Sequence, residues 1–345
     1  MNAVNRQWLL ASRPVGMINE SNFEYREAEV PSPGPGEMLV RNLYLSFDPA
    51  QRGWTLDRAS YVPPVQIGEP MRAGAIGQVI ESNHPDFSTG AIVQGTFGWQ
   101  DYAVVGSGGP ISPMPVPPGV PLTLPLGALG ITGLTAYFGL LDLGEPKEGE
   151  TVVISGAAGA TGSVAGQIAK LQGCRVIGIA GGPKKCAWLT EQAGFDAAID
   201  YKSENLDTRL RELCPSGVDV FFDNVGGSTL ETVLGLIAQN ARIVLCGGIS
   251  GYNEVEPPPG PRNIMNLVIM RGRMEGFIVL DYANRYSEGI TKLAEWVMGG
   301  KIVYLEDIQE GFENIPKTLQ RLYLGQNFGK QILKITDPPL EIPGS

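Results

Sequence analysis

The stretch TVVISGAAGATGSVAGQIAKLQGCRVIGIAGGPKK, Thr151 to Lys185, decides the fold. An apolar β-branched run is followed by glycines, then by an apolar stripe at Val164, Ile168 and Leu171 with helical i, i+4, i+7 spacing. A second apolar run, Arg175–Ala180, ends on Gly181 and Gly182. Strand, glycine turn, helix and strand in that order make one βαβ unit. The turn Gly156-Ala157-Ala158-Gly159-Ala160-Thr161-Gly162 fits G-x-G-x-x-G, with Ala157 at the first glycine. Gly159 would let a pyrophosphate approach the backbone, and Gly162 would let the helix press on the strand. The helix N-terminus adds unpaired N–H groups and the positive end of a dipole. A glycine turn with only packing duties is the alternative.

The end of the second strand separates two cofactors. An Asp or Glu there would bind the ribose 2′-hydroxyl of NAD. This chain has Gly181, Gly182, Pro183, Lys184 and Lys185 instead. The glycines leave room and the lysines offer charge to a 2′-phosphate, so the reading is NADPH. Solvated lysines at a helix start are the competing reading.

Outward from this unit, strands and helices keep alternating. Further strands are expected at Ala197–Tyr201, Val218–Val225, Ala241–Gly247 and Met274–Val279. Helical stripes run through Leu206, Leu210 and Leu213, and through Leu230, Val233, Leu234 and Ile237. Six apolar strands alternating with helices predict a doubly wound parallel Rossmann sheet covered on both faces. LGALGITGLTAYFGLLDLG before it reads as helix. The first third differs: MLVRNLYLSFDP, AGAIGQVIES, AIVQGTFGW and DYAVV are short strand candidates between Gly and Pro turns. They predict a β-rich, barrel-like domain. FGKQILKI near the end of the chain is expected to pair back into it. The expected division is therefore α/β, with residues 1–126 and 310–345 forming the β-rich domain and 127–309 the dinucleotide-binding domain.

The bulk numbers exclude other classes. The 345 residues suffice for two domains. Apolar content is 43% and charged content 18%, which fits a globular core. A net charge of −10 without a basic cluster argues against nucleic acid. The N-terminus reads as no signal peptide, and no run of about 18 apolar residues suggests a membrane span, so a cytoplasmic location is expected. Cys174, Cys186, Cys214 and Cys246 are scattered, and His84 is the single histidine. They do not assemble the three or four ligands, roughly, of a zinc site, so no metal is expected. His84 is read as a surface loop residue. Ser-His-Asp catalysis is equally poor, with no G-x-S-x-G elbow.

The order of GAAGATGSVAGQIAKLQGC, GFDAAIDY, FFDNVGG, LCGGISGYN and GQNFGK behind a β-rich domain resembles the zinc-independent medium-chain dehydrogenase/reductases. WLLASRP, ESNHPDF, GWQDY, GLLDLGEPKEGE and ARIVLCGGISGYN are similar to the prostaglandin reductase/leukotriene B4 12-hydroxydehydrogenase branch, and within it to bacterial NADPH-dependent curcumin reductases. The resemblance covers essentially the whole chain and implies a GroES-like first domain and a homodimer. It places the phosphate turn on Gly159, Ala160, Thr161 and Gly162. The 2′-phosphate lysine falls on Lys185, with Tyr201 as its companion. Further cofactor positions fall on Asn224, on Cys246, Gly247, Gly248, Ile249, Ser250 and Tyr252, on Phe277, Ile278 and Val279, and on Asn327 from the other domain.

Two departures stand out. Relatives commonly read DPYMR where this chain has Asp48-Pro49-Ala50-Gln51-Arg52, so Ala50 replaces an aromatic residue of the substrate pocket. Thr132 replaces a proline. The implied reaction is reduction of a carbon–carbon double bond conjugated to a ketone or aldehyde, with hydride to the β-carbon and an enolate to stabilise. Tyr252 is the candidate donor to the enolate oxygen, alone or with the nicotinamide ribose hydroxyl, against a packing role. Arg52 is the candidate anchor for an acidic substrate tail, against a structural role. The rival functions are a quinone reductase on the same fold and a non-catalytic NADPH-binding redox sensor.

Overall fold

The computed structural model describes residues 4–106 and 112–337. The chain divides into two compact units. The first begins with β1 (Val4–Leu10) and β2 (Phe23–Glu29), an antiparallel pair. Then come β3 (Glu37–Ser46), the short helix α1 (Ala50–Trp54), β4 (Gly74–Ser82), β5 (Ile92–Thr96), β6 (Tyr102–Gly106) and β7 (Met114–Pro115). β3 is the hub: its first half pairs antiparallel with β6, and its other edge pairs with β4 through two register shifts. At one such shift a Cβ on Gly77 would sit 2.3 Å from the Val40 side chain, so only glycine fits. Met38, Val40, Leu45, Phe47, Val79, Val93 and Trp99 build the core against Trp8 and Phe23. β3 does not alternate strictly between buried and exposed residues, because Asn42 and Ser46 are buried too. The Asn42 side-chain N–H groups donate to the carbonyls of Gly98 and Gln100 at 3.2 and 2.7 Å.

His84 departs from its reading. It lies in the loop after β4, but it is buried, packs against Phe87 with ring centroids 5.0 Å apart, and its Nδ1 accepts from the Asp86 N–H.

The second unit is a six-stranded parallel sheet. Its strands are β8 (Thr151–Ser155), β9 (Arg175–Ala180), β10 (Ala197–Asp200), β11 (Val218–Asp223), β12 (Ile237–Leu245) and β13 (Arg273–Gly276), in spatial order β10-β9-β8-β11-β12-β13. Its helices are α2 (Ile131–Phe138), α3 (Ala160–Leu171), α4 (Pro183–Glu191), α5 (Leu206–Leu213), α6 (Gly227–Leu234), α7 (Asn266–Met270) and α8 (Tyr286–Met298). Val153, Ile177, Ile199, Phe221 and Ile243, one from each of five adjacent strands, share one buried face with Leu210, Val233 and Leu234. Strand order reverses between β8 and β11, which puts a ligand crevice at their carboxyl ends.

Three local expectations are corrected. Ile237 does not extend the α6 stripe; it opens β12, after a turn at Gly235. Strands expected to run to Val225 and Gly247 stop at Asp223 and Leu245, because the Asp223 carbonyl there accepts the N–H groups of Cys246 and Gly247. The long helix expected through Gly144 changes at Gly139 into wider π-type turns. A Cβ on Gly139 would lie 2.4 Å from Phe277, so the backbone there is packed against that ring.

The chain then returns to the first unit with β14 (Glu306–Glu310), α9 (Ile315–Tyr323) and β15 (Lys330–Lys334). β15 lies between β14 and β3, antiparallel to the latter. The units comprise Met1–Leu126 with Glu306–Asn327 and Gln331–Ser345, and Gly127–Leu305 with Phe328–Lys330. The second crossing falls at 305/306 where 309/310 was expected, since β14 starts at Glu306.

Candidate functional site

The glycine turn sits at the carboxyl end of β8. Gly159 is the N-cap of α3 and brings no side-chain cap. The first-turn N–H groups of Ala160, Thr161 and Gly162 have no partner within a helix. A Cβ on Gly162 would lie 2.4 Å from the Gly156 carbonyl oxygen, so the helix approaches its strand at a distance only glycine permits. Phe328–Lys330 close over this turn: the Gly329 N–H donates to the Ala158 carbonyl at 3.0 Å. Phe328 meets Trp188 edge-on, and the Lys184 ammonium lies 5.7 Å from its ring centre.

Next to it, the end of β9 leads into Gly181 and Gly182, with Lys185 in the first turn of α4. A Cβ on Gly181 would stand 2.9 Å from both the Tyr201 ring and the Lys202 stem. Those two side chains therefore lean over a bare backbone, with Tyr201 52% exposed. One acid lies near, Asp200, and the sequence reading missed it. Its carboxylate accepts from the N–H groups of Gly182 at 2.7 Å and Lys202 at 3.1 Å, and from the Ser203 hydroxyl. The Gly182 hydrogen bond foremost holds its pKa below the usual carboxylate range. Asp200 thus fixes the turn. This cradle, with glycines where an NAD binder places its acid and lysines around them, fits a dinucleotide carrying a 2′-phosphate. Lys202 and Phe328 also stand beside this turn and were not singled out in the sequence, where DYKS sets Lys202 next to Tyr201 and NFGK sets Phe328 two residues before Lys330.

Across the switch point, the Ser155 hydroxyl donates to the buried Asp223 carboxylate at 2.6 Å, and Asn224 donates its side-chain N–H to the Ser155 carbonyl at 2.7 Å. Burial pushes the Asp223 pKa up, against the three groups that donate to it. Asp223, Leu245, Cys246, Gly248, Phe277 and Ile278 line a cavity of about 640 Å³ at the ends of β11, β12 and β13. Burial, then Asp223, pushes the Cys246 thiol up to about 12, which keeps it a neutral wall. Ile249–Gly251 form one 3₁₀ turn, which brings Tyr252 back over its own loop. The Gly248 N–H donates to the Tyr252 hydroxyl at 3.1 Å, and a Cβ on Gly247 would lie 3.2 Å from that oxygen. Val279 is buried at the start of the next helical turn.

The second unit thus gathers Gly159–Gly162, Lys185, Tyr201, Asn224, Cys246–Tyr252 and Phe277–Val279 at the carboxyl ends of its strands and the loops that follow. Ala50 and Arg52 lie on α1 and Asn327 after α9, all in the first unit. The structure corrects the role of Arg52. It is 3% exposed, and its guanidinium donates to the carbonyls of Pro14 and Gly16, both at 3.1 Å, so it holds a loop and is not presented as a substrate anchor. Trp54, four residues after Ala50 on the same helical face, was missed. Its indole donates to the Tyr61 hydroxyl at 3.2 Å, and the Arg72 guanidinium lies 5.6 Å over its ring. Thr132, where relatives have proline, donates its hydroxyl to the Gly127 carbonyl at 2.9 Å. Among the described residues, no group of three or more His, Cys, Asp or Glu stands where it could hold a metal ion.

Known proteins carry the same architecture. Residues 6–112 match the family described as the N-terminal domain of oxidoreductase, and residues 160–295 the family described as zinc-binding dehydrogenase. The chain is 45% identical to the NADPH-dependent curcumin reductase of Escherichia coli over 96% of its length and 97% of that protein. It is 42% identical to prostaglandin reductase 1 of Rattus norvegicus, covering 95% of this chain and 98% of the relative. The crystal structure of CurA from Vibrio vulnificus in complex with NADPH superposes with a TM-score of 0.91 at 44% identity, covering 96% of this chain and 100% of that one. With fold, glycine turn and near full-length identity in agreement, the chain belongs to the zinc-independent medium-chain dehydrogenase/reductases, in the branch of the curcumin and prostaglandin reductases.

Proposed function

We propose that the protein is an NADPH-dependent reductase of the carbon–carbon double bond of α,β-unsaturated ketones and aldehydes. The observation that carries the cofactor half is the end of β9: Gly181 and Gly182 bare, Asp200 engaged with the backbone, and Lys185 in the following turn. The likeness to a curcumin reductase and a prostaglandin reductase supports the reaction half.

Gly159, Ala160, Thr161 and Gly162 receive the pyrophosphate at the α3 N-terminus. Lys185, flanked by Tyr201, receives the 2′-phosphate. Asn224, the loop Cys246, Gly247, Gly248, Ile249 and Ser250, and Phe277, Ile278 and Val279 receive the nicotinamide end, with Asn327 as a further contact. NADPH held there would supply hydride to the β-carbon of an enone and become NADP+, leaving negative charge on the carbonyl oxygen until a solvent proton reaches the α-carbon. Tyr252 donates its hydroxyl proton in a hydrogen bond to that oxygen. A phenol oxygen both accepts and donates, so the Gly248 N–H it accepts fixes where its own proton points. Ala50 widens the substrate pocket relative to relatives that carry an aromatic residue there.

A homodimer is part of this reading. Among the described residues β13 is the last strand of the sheet, and beside it in sequence Met265, Val268 and Ile269 are 61%, 65% and 64% exposed. An exposed apolar patch next to an edge strand suits a second copy of the chain. The four cysteines stand as free thiols and no described helix is long and apolar enough to cross a membrane, which suits a cytoplasmic location. The test is NADPH oxidation followed by absorbance with enones, enals, quinones and simple ketones. Turnover of enones and enals above all others supports the proposal; turnover of quinones alone, or of nothing, overturns it.

A further inference from the structure

We propose that the Asp223 carboxylate, together with Ser155, is a positioning group for the loop that carries Tyr252; the inference rests on the reading of Tyr252 given above. Asp223 is fully buried at the end of β11. Its Oδ1 accepts from the Ser155 hydroxyl at 2.6 Å, the Val225 N–H at 2.9 Å and the Gly226 N–H at 3.0 Å. The carboxylate thereby winds residues 223–226 into a turn whose glycines, Gly226 and Gly227, have φ of +71° and +56°. Ser155 braces the same turn from β8, since its hydroxyl oxygen also accepts the Asn224 N–H at 2.8 Å.

That turn is the template for the next loop. The Asp223 carbonyl accepts from Cys246 and Gly247 at 2.9 and 3.0 Å, and the Asn224 carbonyl from Ile249 at 3.3 Å. The Val225 carbonyl accepts from both the N–H and the hydroxyl of Ser250, at 3.1 and 2.7 Å. Cys246, Gly247, Ile249 and Ser250, on both sides of Gly248, are therefore held on residues 223–225. The Asp223 carboxylate thus shapes the turn on which both chain neighbours of Gly248 are held, and Gly248 in turn donates to the phenol.

A plain helix-capping role would stabilise only α6, which begins one residue after Gly226. Positioning predicts an effect on the other loop. This difference separates the two accounts, because α6 and residues 246–252 are distinct segments for hydrogen exchange.

The experiment compares Asp223→Ala, Asp223→Asn and Ser155→Ala in the full chain, alone and combined with Tyr252→Phe. Hydrogen exchange is read over 246–252, over 227–234, and over β9 as a control. Losing an acceptor for several buried donors should speed exchange in 246–252 by about tenfold or more in Asp223→Ala. Ser155→Ala should do so more weakly. Asp223→Asn, which keeps one oxygen acceptor, should recover most of the loss. kcat should fall in parallel, and adding Tyr252→Phe should cost less than the product of the separate effects, because the two act through one group. Unchanged exchange in 246–252, or a rise confined to 227–234, overturns the inference. If Asp223→Ala does not fold, Ser155→Ala and Asp223→Asn decide by the same readout. Fast exchange at 246–252 with a fully active Tyr252→Phe supports the positioning and removes the donor role of Tyr252. A slow Tyr252→Phe with unaltered exchange in the other variants does the reverse.

Discussion

Replacing Tyr252 with Phe removes one oxygen and leaves the ring, and the structure separates what that costs. The first loss is the acceptor for the Gly248 N–H, now 3.1 Å away. The loop is partly exposed, so water replaces much of it, and about 0.5–1.5 kcal/mol of local order goes. The second loss is the donor to the carbonyl oxygen where charge develops. Removing one such donor costs roughly 2.7–4 kcal/mol in a dry site. Partial exposure favours the low end, and at about 1.4 kcal/mol per decade the expected drop is about 100-fold. It should fall on kcat, because the charge exists only at and beyond the transition state. NADPH affinity should change by less than about threefold, since the phosphate contacts proposed above lie at α3 and α4. The assay is single-turnover stopped-flow with saturating enzyme and one enone, beside a fluorescence titration of NADPH. An unchanged single-turnover rate would refute the donor role and leave Tyr252 as a brace for Gly248.

Three further outcomes are expected. Lys185→Ala removes a charge-assisted contact worth about 1.5–3 kcal/mol, so NADPH affinity should fall roughly 10- to 150-fold while NADH binding barely moves; equal titration losses for both would contradict the 2′-phosphate role. Gly162→Ala drives a Cβ to 2.4 Å from the Gly156 carbonyl oxygen, and relieving that overlap should cost about 1–3 kcal/mol, read as a lower midpoint in urea together with weaker binding of both cofactors. For pH, the Gly182 N–H holds the Asp200 pKa below its unfolded value, so its stabilising share is present above about pH 4 and lost as pH falls through the folded pKa. Asp200→Asn should therefore lower Tm at neutral pH and narrow its gap to the parent protein in acid; a gap constant down to pH 3 would contradict this.

The doubly wound sheet was legible because its inner strands are buried on both faces and read as apolar runs. Val153, Ile177 and Phe221 sit in such runs, each bounded by glycine or a polar turn. The glycine turn was legible because close approach of helix to strand demands glycine, and Gly162 has no substitute. What escaped was whatever depends on distant partners. Arg52 could be read either as a substrate anchor or as a structural arginine, and the carbonyls of Pro14 and Gly16 that decide it lie 38 and 36 residues away in sequence. Asp200 looked like a strand end, because nothing local shows that Gly182 lies beside it. His84 was read as exposed, since burial of a loop depends on its packing and not on its polarity. Ile237 continued a helical spacing by coincidence, and a turn at Gly235 put it in a strand.

The central claim is that hydride reaches the β-carbon of a conjugated double bond while the carbonyl survives. The direct measurement is turnover of an enone with NADPH deuterated at the transferred position, followed by NMR of the product. The account predicts a saturated ketone with one deuterium on the β-carbon and solvent hydrogen on the α-carbon. Deuterium on the carbonyl carbon of an allylic alcohol, or on the α-carbon of the ketone, would contradict it.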